Sequence, residues 1–222
     1  MEIKDFGFVA VAAGEGLKEL FQSLGVDGVV SGGQTMNPST EDILNEINRT
    51  PANTVFVLPN NKNIILTAEQ SVSLTSKKVR VIPTKSIPEG IAAMLAFDPD
   101  LDEETNHLNL NKAAGQVQTA QVTFAARDSV VNGQNVKKGQ MLGMENGKIT
   151  VVDNDAVSAA LKTTRHLMKK NTSVVTIIYG EGVTEEDAER LKKQIESKAP
   201  SGAEVVIVNG GQPVYYFIVS IE

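Results

Sequence analysis

Four times in the first 97 residues, a short apolar run stops at Gly, Pro or Asn and gives way to apolar residues at helical spacing. Phe8-Val9-Ala10-Val11-Ala12 ends at Gly14-Glu15-Gly16, and Val29-Val30 ends at Gly32-Gly33. Thr54 to Leu58 ends at Pro59-Asn60-Asn61, and Val79 to Ile82 ends at Pro83-Thr84-Lys85-Ser86. Continuous apolar runs of this length suit strands buried on both faces. Between them, Leu17, Leu20, Phe21 and Leu24 share one helical face, as do Ile43, Leu44 and Ile47. Ile64, Ile65, Ala68 and Val72 form a third such face, and Ile91, Met94 and Leu95 a fourth. Strict β–α alternation predicts a parallel sheet with helices on its faces. Punctuation agrees: Gly25 closes the first helix, Asn37 caps the second with Pro38 at its first position, and Ser86 with Glu89 forms a capping box for the fourth.

The pattern then changes. Asp98, Asp100, Asp102, Glu103 and Glu104 begin a stretch, 98–115, that reads as a solvated acidic linker. It lacks the Gly and the final Glu that a calcium loop requires at fixed positions. Residues 116–153 carry short β-type runs with turns at Asn132-Gly133, Lys138-Gly139 and Asn146-Gly147, which predicts a small β-hairpin module. A helix over about 155–169, capped by Asp153 or Asn154, places Val157, Leu161, Thr164 and Met168 on one face. The expected division is a first α/β lobe at 1–97, a linker at 98–115, the β module at 116–153, and a helix plus second α/β lobe at 154–222.

That last lobe repeats the first. Val174 to Ile178 runs into Gly180-Glu181-Gly182, as the first strand runs into Gly14-Glu15-Gly16. Thr184 and Asp187 cap a helix with Ala188, Leu191 and Ile195 on one face. Val205 to Val208 then runs into Gly210-Gly211-Gln212, as the second strand runs into Gly32-Gly33-Gln34. Two matches in the same order predict a related pair of βαβ units. The copies diverge afterwards, where Val214 to Ile221 reads as a strand rather than a helix.

Composition narrows the function. The net charge is −6, there is no tryptophan, and Lys137-Lys138 and Lys169-Lys170 read as solvated pairs, so nucleic acid and anionic membrane are poor partners. No run is long and apolar enough to span a bilayer. The absence of cysteine and of a secretion-type N-terminus points to the cytoplasm and excludes disulfides and thiolate chemistry. No phosphate-loop motif is present, and a Gly-x-Gly-x-x-Gly starting at Gly14 fails at Glu19. His107 and His166 have no neighbour in sequence that makes a metal pair or a catalytic dyad. Arg127 and Asp128 are expected to pair at a hairpin end. In an open parallel sheet, ligands sit at the carboxyl ends of the strands. The candidate partner-binding or ligand-binding residues are therefore Gly32, Gly33, Gln34, Thr35, Asn37, Asn60, Asn61, Thr84, Lys85, Ser86 and Arg127. The bland reading of the same residues is turn and cap chemistry.

Val29 to Thr40, with its Gly-Gly-Gln-Thr-Met-Asn-Pro-Ser-Thr core, resembles a segment of the C-terminal region of the DAK-type fatty acid kinase subunit family (FakA) of Gram-positive bacteria. So do Leu58 to Ile64, Ile82 to Ser86 and Phe124 to Asp128, in family order. The resemblance covers essentially the whole chain. It implies that ATP and magnesium bind an N-terminal kinase domain with no counterpart here, so no cofactor is expected in this domain and Met1 is expected to be an added start. It also implies a DegV-like pair of α/β lobes, in keeping with the duplication. The implied partners are a fatty-acid-carrying DegV-like protein, FakB, whose bound fatty acid the kinase phosphorylates to an acyl phosphate, and the rest of the kinase subunit. Three readings follow: a non-catalytic docking domain for FakB, a domain binding a fatty acid or phosphate ligand at the strand ends, and a phosphoryl-transfer enzyme acting through His107 or His166.

Overall fold

The computed structural model describes residues 2–32 and 37–222, which divide into two compact units, 1–117 and 118–222. In the first, β1 (Lys4–Val11), β2 (Gly28–Val30), β3 (Ala52–Leu58) and β4 (Lys78–Val81) form one sheet in the order β2-β1-β3-β4. All three pairings are parallel. The expected α/β alternation is therefore present, with α1 (Glu15–Ser23), α2 (Thr40–Arg49), α3 (Ile65–Val72) and α4 (Ile87–Ala96) as the helices between and after the strands.

Period-2 alternation sorts the strand residues between two faces. Val9, Val11, Val55 and Val57 pack with Ile43 and Ile47 of α2 and Ala68 of α3. Phe6, Phe8 and Phe56 point the other way; Phe56 packs on Phe6 and Phe8, and both of these meet Phe97, whose ring lies edge-on to Phe8 at 4.8 Å between centroids. That geometry is a favourable one for aromatic rings. The second helix starts later than the sequence suggested. Its cap is Ser39, whose Oγ accepts from Asp42 N at 3.0 Å, while the Asp42 carboxylate accepts from Ser39 N.

The acidic stretch is not a linker. Residues Glu103–Gln116 form α5, part of the first unit, capped by Asp102, whose carboxylate accepts from Thr105 N at 2.7 Å. The acids have structural partners. Glu103 bridges Lys78 and Arg80 of β4 at 2.5 and 2.9 Å, and Glu104 meets Arg80 at 2.7 Å. Buried Asn106 ties the preceding turn together, exchanging bonds with Asp98 N and O.

In the second unit the β module is not separate. β5 (Gln118–Phe124), β8 (Met141–Glu145) and β9 (Lys148–Asp153) join β10 (Val174–Tyr179), β11 (Glu204–Asn209) and β12 (Phe217–Ile221) in one sheet, ordered β11-β10-β12-β5-β8-β9. Among the described residues of this unit, only β6 (Ser129–Val131) and β7 (Gln134–Val136) stand apart, as a two-stranded hairpin. The β10–β11 pair is parallel and the others are antiparallel. One face is covered by α6 (Ala156–Leu167) and α7 (Glu185–Glu196), whose Val157, Ala160, Leu191 and Ile195 pack on Val175, Ile177, Phe217 and Val219. The cap of α6 is Asp155, one residue beyond the expected pair. Asp153 instead accepts from Ser158 Oγ and Lys162 Nζ, at 2.8 and 2.7 Å. The expected duplication is visible as two parallel βαβ units, β1-α1-β2 and β10-α7-β11.

Candidate functional site

The carboxyl ends of β1, β3 and β4 meet in a small buried network. Asn60, just past β3, has φ 57°, a left-handed conformation that Asn tolerates better than most residues. That turn brings its side chain back over the sheet. Its Nδ2 donates to Val11 O at the end of β1, at 3.0 Å. Thr84 Oγ1, past β4, donates to Asn60 Oδ1 at 2.9 Å and accepts from Asn60 N at 3.0 Å. Asn60 is 7% exposed and Thr84 is fully buried, so both candidates hold three strand ends in register rather than face solvent. Gly90 of α4 completes the lock, because a methyl there would overlap the Asn60 amide.

Helix N-termini attract anions, and α4 begins in this cluster. Its first turn already holds a carboxylate from its own chain. Ser86 Oγ accepts from Glu89 N at 3.3 Å and lies 3.2 Å from Glu89 Oε2. Burial pushes the Glu89 carboxyl above its usual range, against the opposing pull of the Lys85 backbone N–H, the Ser86 hydroxyl and the Lys85 charge. At α1 the cap is Gly14 at φ 110°, a conformation open to glycine and without a side-chain oxygen to offer.

The remaining candidates divide clearly. Asn61 Oδ1 accepts from Asn63 N at 2.9 Å, a local turn bond. Gly32 is buried, while Asn37 and Lys85 are exposed. Gly33, Gln34 and Thr35 lie outside the described residues. Arg127 belongs to the second unit, where it is exposed just past β5. It does not pair with Asp128, whose carboxylate accepts from Lys138 N at 2.8 Å.

The second unit has its own strand-end lock. Gln212 is 3% exposed, and its Nε2 donates to Ile178 O of β10 and to Tyr215 O, both at 3.2 Å. Its backbone oxygen accepts from Glu181 N at 2.9 Å, which joins the Gly180-Glu181-Gly182 loop to the Gly210-Gly211-Gln212 loop. Gln212 Oε1 has no partner among the described residues.

The histidines take no part in either cluster. His107 lies on α5, where burial and the nearby Arg80 charge lower its pKa. His166, on α6, is exposed, with Nδ1 2.9 Å from Glu145 of β8. No group of acidic or histidine side chains suited to a metal ion occurs among the described residues. None of the helices among them is long and apolar enough to cross a membrane.

The model of the FakA-like C-terminal family of fatty acid kinases matches residues 7–222. Protein YloV of Bacillus subtilis is 45% identical over 217 residues, which are 98% of this chain and 39% of YloV. The chain thus spans about two-fifths of the length of the curated relatives it matches. Among solved structures, a DegV family protein from Corynebacterium glutamicum superposes with a TM-score of 0.69 at 12% identity, covering 98% of this chain and 96% of that one. The Streptococcus pneumoniae fatty acid kinase B3 protein, loaded with linoleic acid, superposes with a TM-score of 0.61 at 10% identity, covering 98% and 99%. Identities this low carry a likeness of fold, and that fold is DegV-like. The match along nearly the whole length and the 45% identity place the sequence itself: the chain belongs to the FakA-like C-terminal family of fatty acid kinases.

Proposed function

We propose that this domain is a non-catalytic docking module of a fatty acid kinase, which binds the fatty-acid carrier FakB so that a separate ATP-binding domain can phosphorylate its cargo. One observation carries the reading. The polar side chains at the strand ends are turned inward and committed to one another, Asn60 to Thr84 and Val11, Glu89 to Ser86. Behind the exposed Lys85, this network ties together the loops that follow β3 and β4. A preorganised surface with few free reacting groups suits protein recognition, where rigidity limits the entropy lost on binding.

A second reading rests on the fold. The linoleic-acid-loaded B3 protein shares it, so a fatty acid held by this chain is the alternative. Calorimetric titration separates the two, with fatty-acid-loaded FakB, free fatty acid and ATP as parallel titrants. Saturable binding to the loaded carrier alone supports docking. Binding of free fatty acid or ATP with none to the carrier overturns it. Lys85→Glu and Arg127→Glu, each reversing an exposed charge, are expected to weaken carrier binding roughly tenfold if their loops form the contact.

A further inference from the structure

We infer that the second unit carries a separate docking groove for an acidic protein segment, at the amino ends of its parallel strands, opposite the Gly180 and Gly210 loops. Two helix-to-strand connections meet there. α6 ends at Leu167 and leads into β10, and α7 ends at Glu196 and leads into β11. Arg165, Lys169, Lys170 and Lys198 line a groove of about 460 Å³ whose remaining lining is Met168, Ala199 and Pro200.

The chain as a whole has a net charge of −6, so four cations around one groove run against its balance. None of the four has a side-chain partner among the described residues. The acids around them leave them free: Glu196, Glu204 and Glu222 make no ion pair with them among the described residues, Asp155 lies 4.0 Å from Arg190, and Asp153 holds Lys162. Helix ends attract cations, and Arg165 in the last turn of α6 fits that role. Lys169 and Lys170 follow the helix, however, and that attraction fades within the last turn. Four like charges repel when the groove is empty, and an acidic segment relieves the repulsion.

The form of the groove selects the class of occupant. All four cations are exposed, and the groove is open rather than a closed cup. A small phosphate is held best by converging donors in a dry site. Separated cations along an apolar floor instead match an extended segment that alternates acidic and apolar side chains. The inference is independent of the docking reading above, since it uses none of the residues named there.

The test uses a labelled oligoglutamate peptide bearing one leucine, followed by fluorescence anisotropy at low and high salt. The chain is expected to bind it, and salt to weaken binding by screening. Lys169→Glu with Lys170→Glu is expected to weaken binding roughly tenfold or more, and the milder Lys169→Gln with Lys170→Gln to fall between. Lys112→Glu with Lys148→Glu, two exposed cations elsewhere, should leave binding unchanged. The inference fails if the reversal at 169 and 170 binds like the wild type, or if the control pair loses as much. It fails equally if inorganic phosphate displaces the peptide at matched concentration, or if the reversal lowers the melting temperature without altering binding.

Discussion

The two units close their strand ends with the same device and finish it differently. In each, one buried amide side chain reaches back from a loop to a carbonyl at the end of a neighbouring strand: Asn60 to Val11, Gln212 to Ile178. Asn60 also has its oxygen matched, by Thr84. Gln212 leaves its oxygen unpartnered among the described residues, and its two donor bonds are longer, at 3.2 Å each. A buried amide oxygen without a donor loses its hydration without compensation. The all-parallel unit therefore has the tighter lock, and the mixed-sheet unit the looser one.

Substitution at the tighter lock should have the largest effect. Asn60→Ala leaves Val11 O without its side-chain donor and the Thr84 hydroxyl hydrogen without its acceptor, and puts Ala at a left-handed φ, so a loss of about 3 kcal/mol is expected in denaturant unfolding. Gly90→Ala should cost a similar amount, ~3 kcal/mol, because its methyl meets the Asn60 amide. The double variant sharpens the point: with Asn60 cut back to Ala, the methyl at 90 has room, so the two losses should fall well short of adding. Full additivity would break the lock as described.

At the looser lock, Gln212→Met removes two weak bonds together with the unmatched oxygen, and about 1 kcal/mol of loss is expected. A loss as large as that at Asn60 would erase the contrast. Acid provides a third test, specific to the second unit. Asp153 is pushed up by burial but pulled down further by Lys162, Ser158 and two backbone N–H groups, to about 2 from 3.8. A carboxylate lowered in the folded state contributes stability above its unfolded pKa and loses it as pH falls through the folded one. The second unit should therefore weaken between about pH 4 and pH 2, and Asp153→Asn, weaker at neutral pH, should show a flatter acid profile when circular dichroism is followed. The smallest effect is expected at Gly115 of α5, where nothing lies within 4 Å of an added methyl. Gly115→Ala should gain about 0.5 kcal/mol by restricting the unfolded chain.

The four strands and four helices of the first lobe were legible because their apolar residues recur with the right period. α5 was not, for a reason visible in its side chains. Its buried residues are Asn106, Leu110 and Ala114, while Leu108 is 67% exposed, so polarity and burial are out of step. Its acids read as solvated until Lys78 and Arg80 arrive from β4, a contact between residues more than twenty apart. The hairpin turns of the β module were legible, but their membership of a larger sheet depends on β12, nearly a hundred residues away from β5. At the candidate site, Asn60, Thr84 and Ser86 were picked out as polar loop residues, and only the φ of Asn60 and the closeness of Gly90 show that they face inward. The cations at 169 and 170 read as a solvated pair because Lys198 and Arg165 join them only in three dimensions.

The order of strands in the second sheet also bears on how the protein behaves in a tube. β11 is an outer strand, and it carries Val205-Val206-Ile207-Val208 with a single charge, Glu204. An outer strand leaves half its backbone amides and carbonyls without a neighbour, which makes it a template for another chain's strand. Concentrated, long-stored samples should cloud through this edge first. A lysine in place of Val206, which is only partly covered, should extend shelf life as read by light scattering, whereas the same change on the hairpin at Val130 should not.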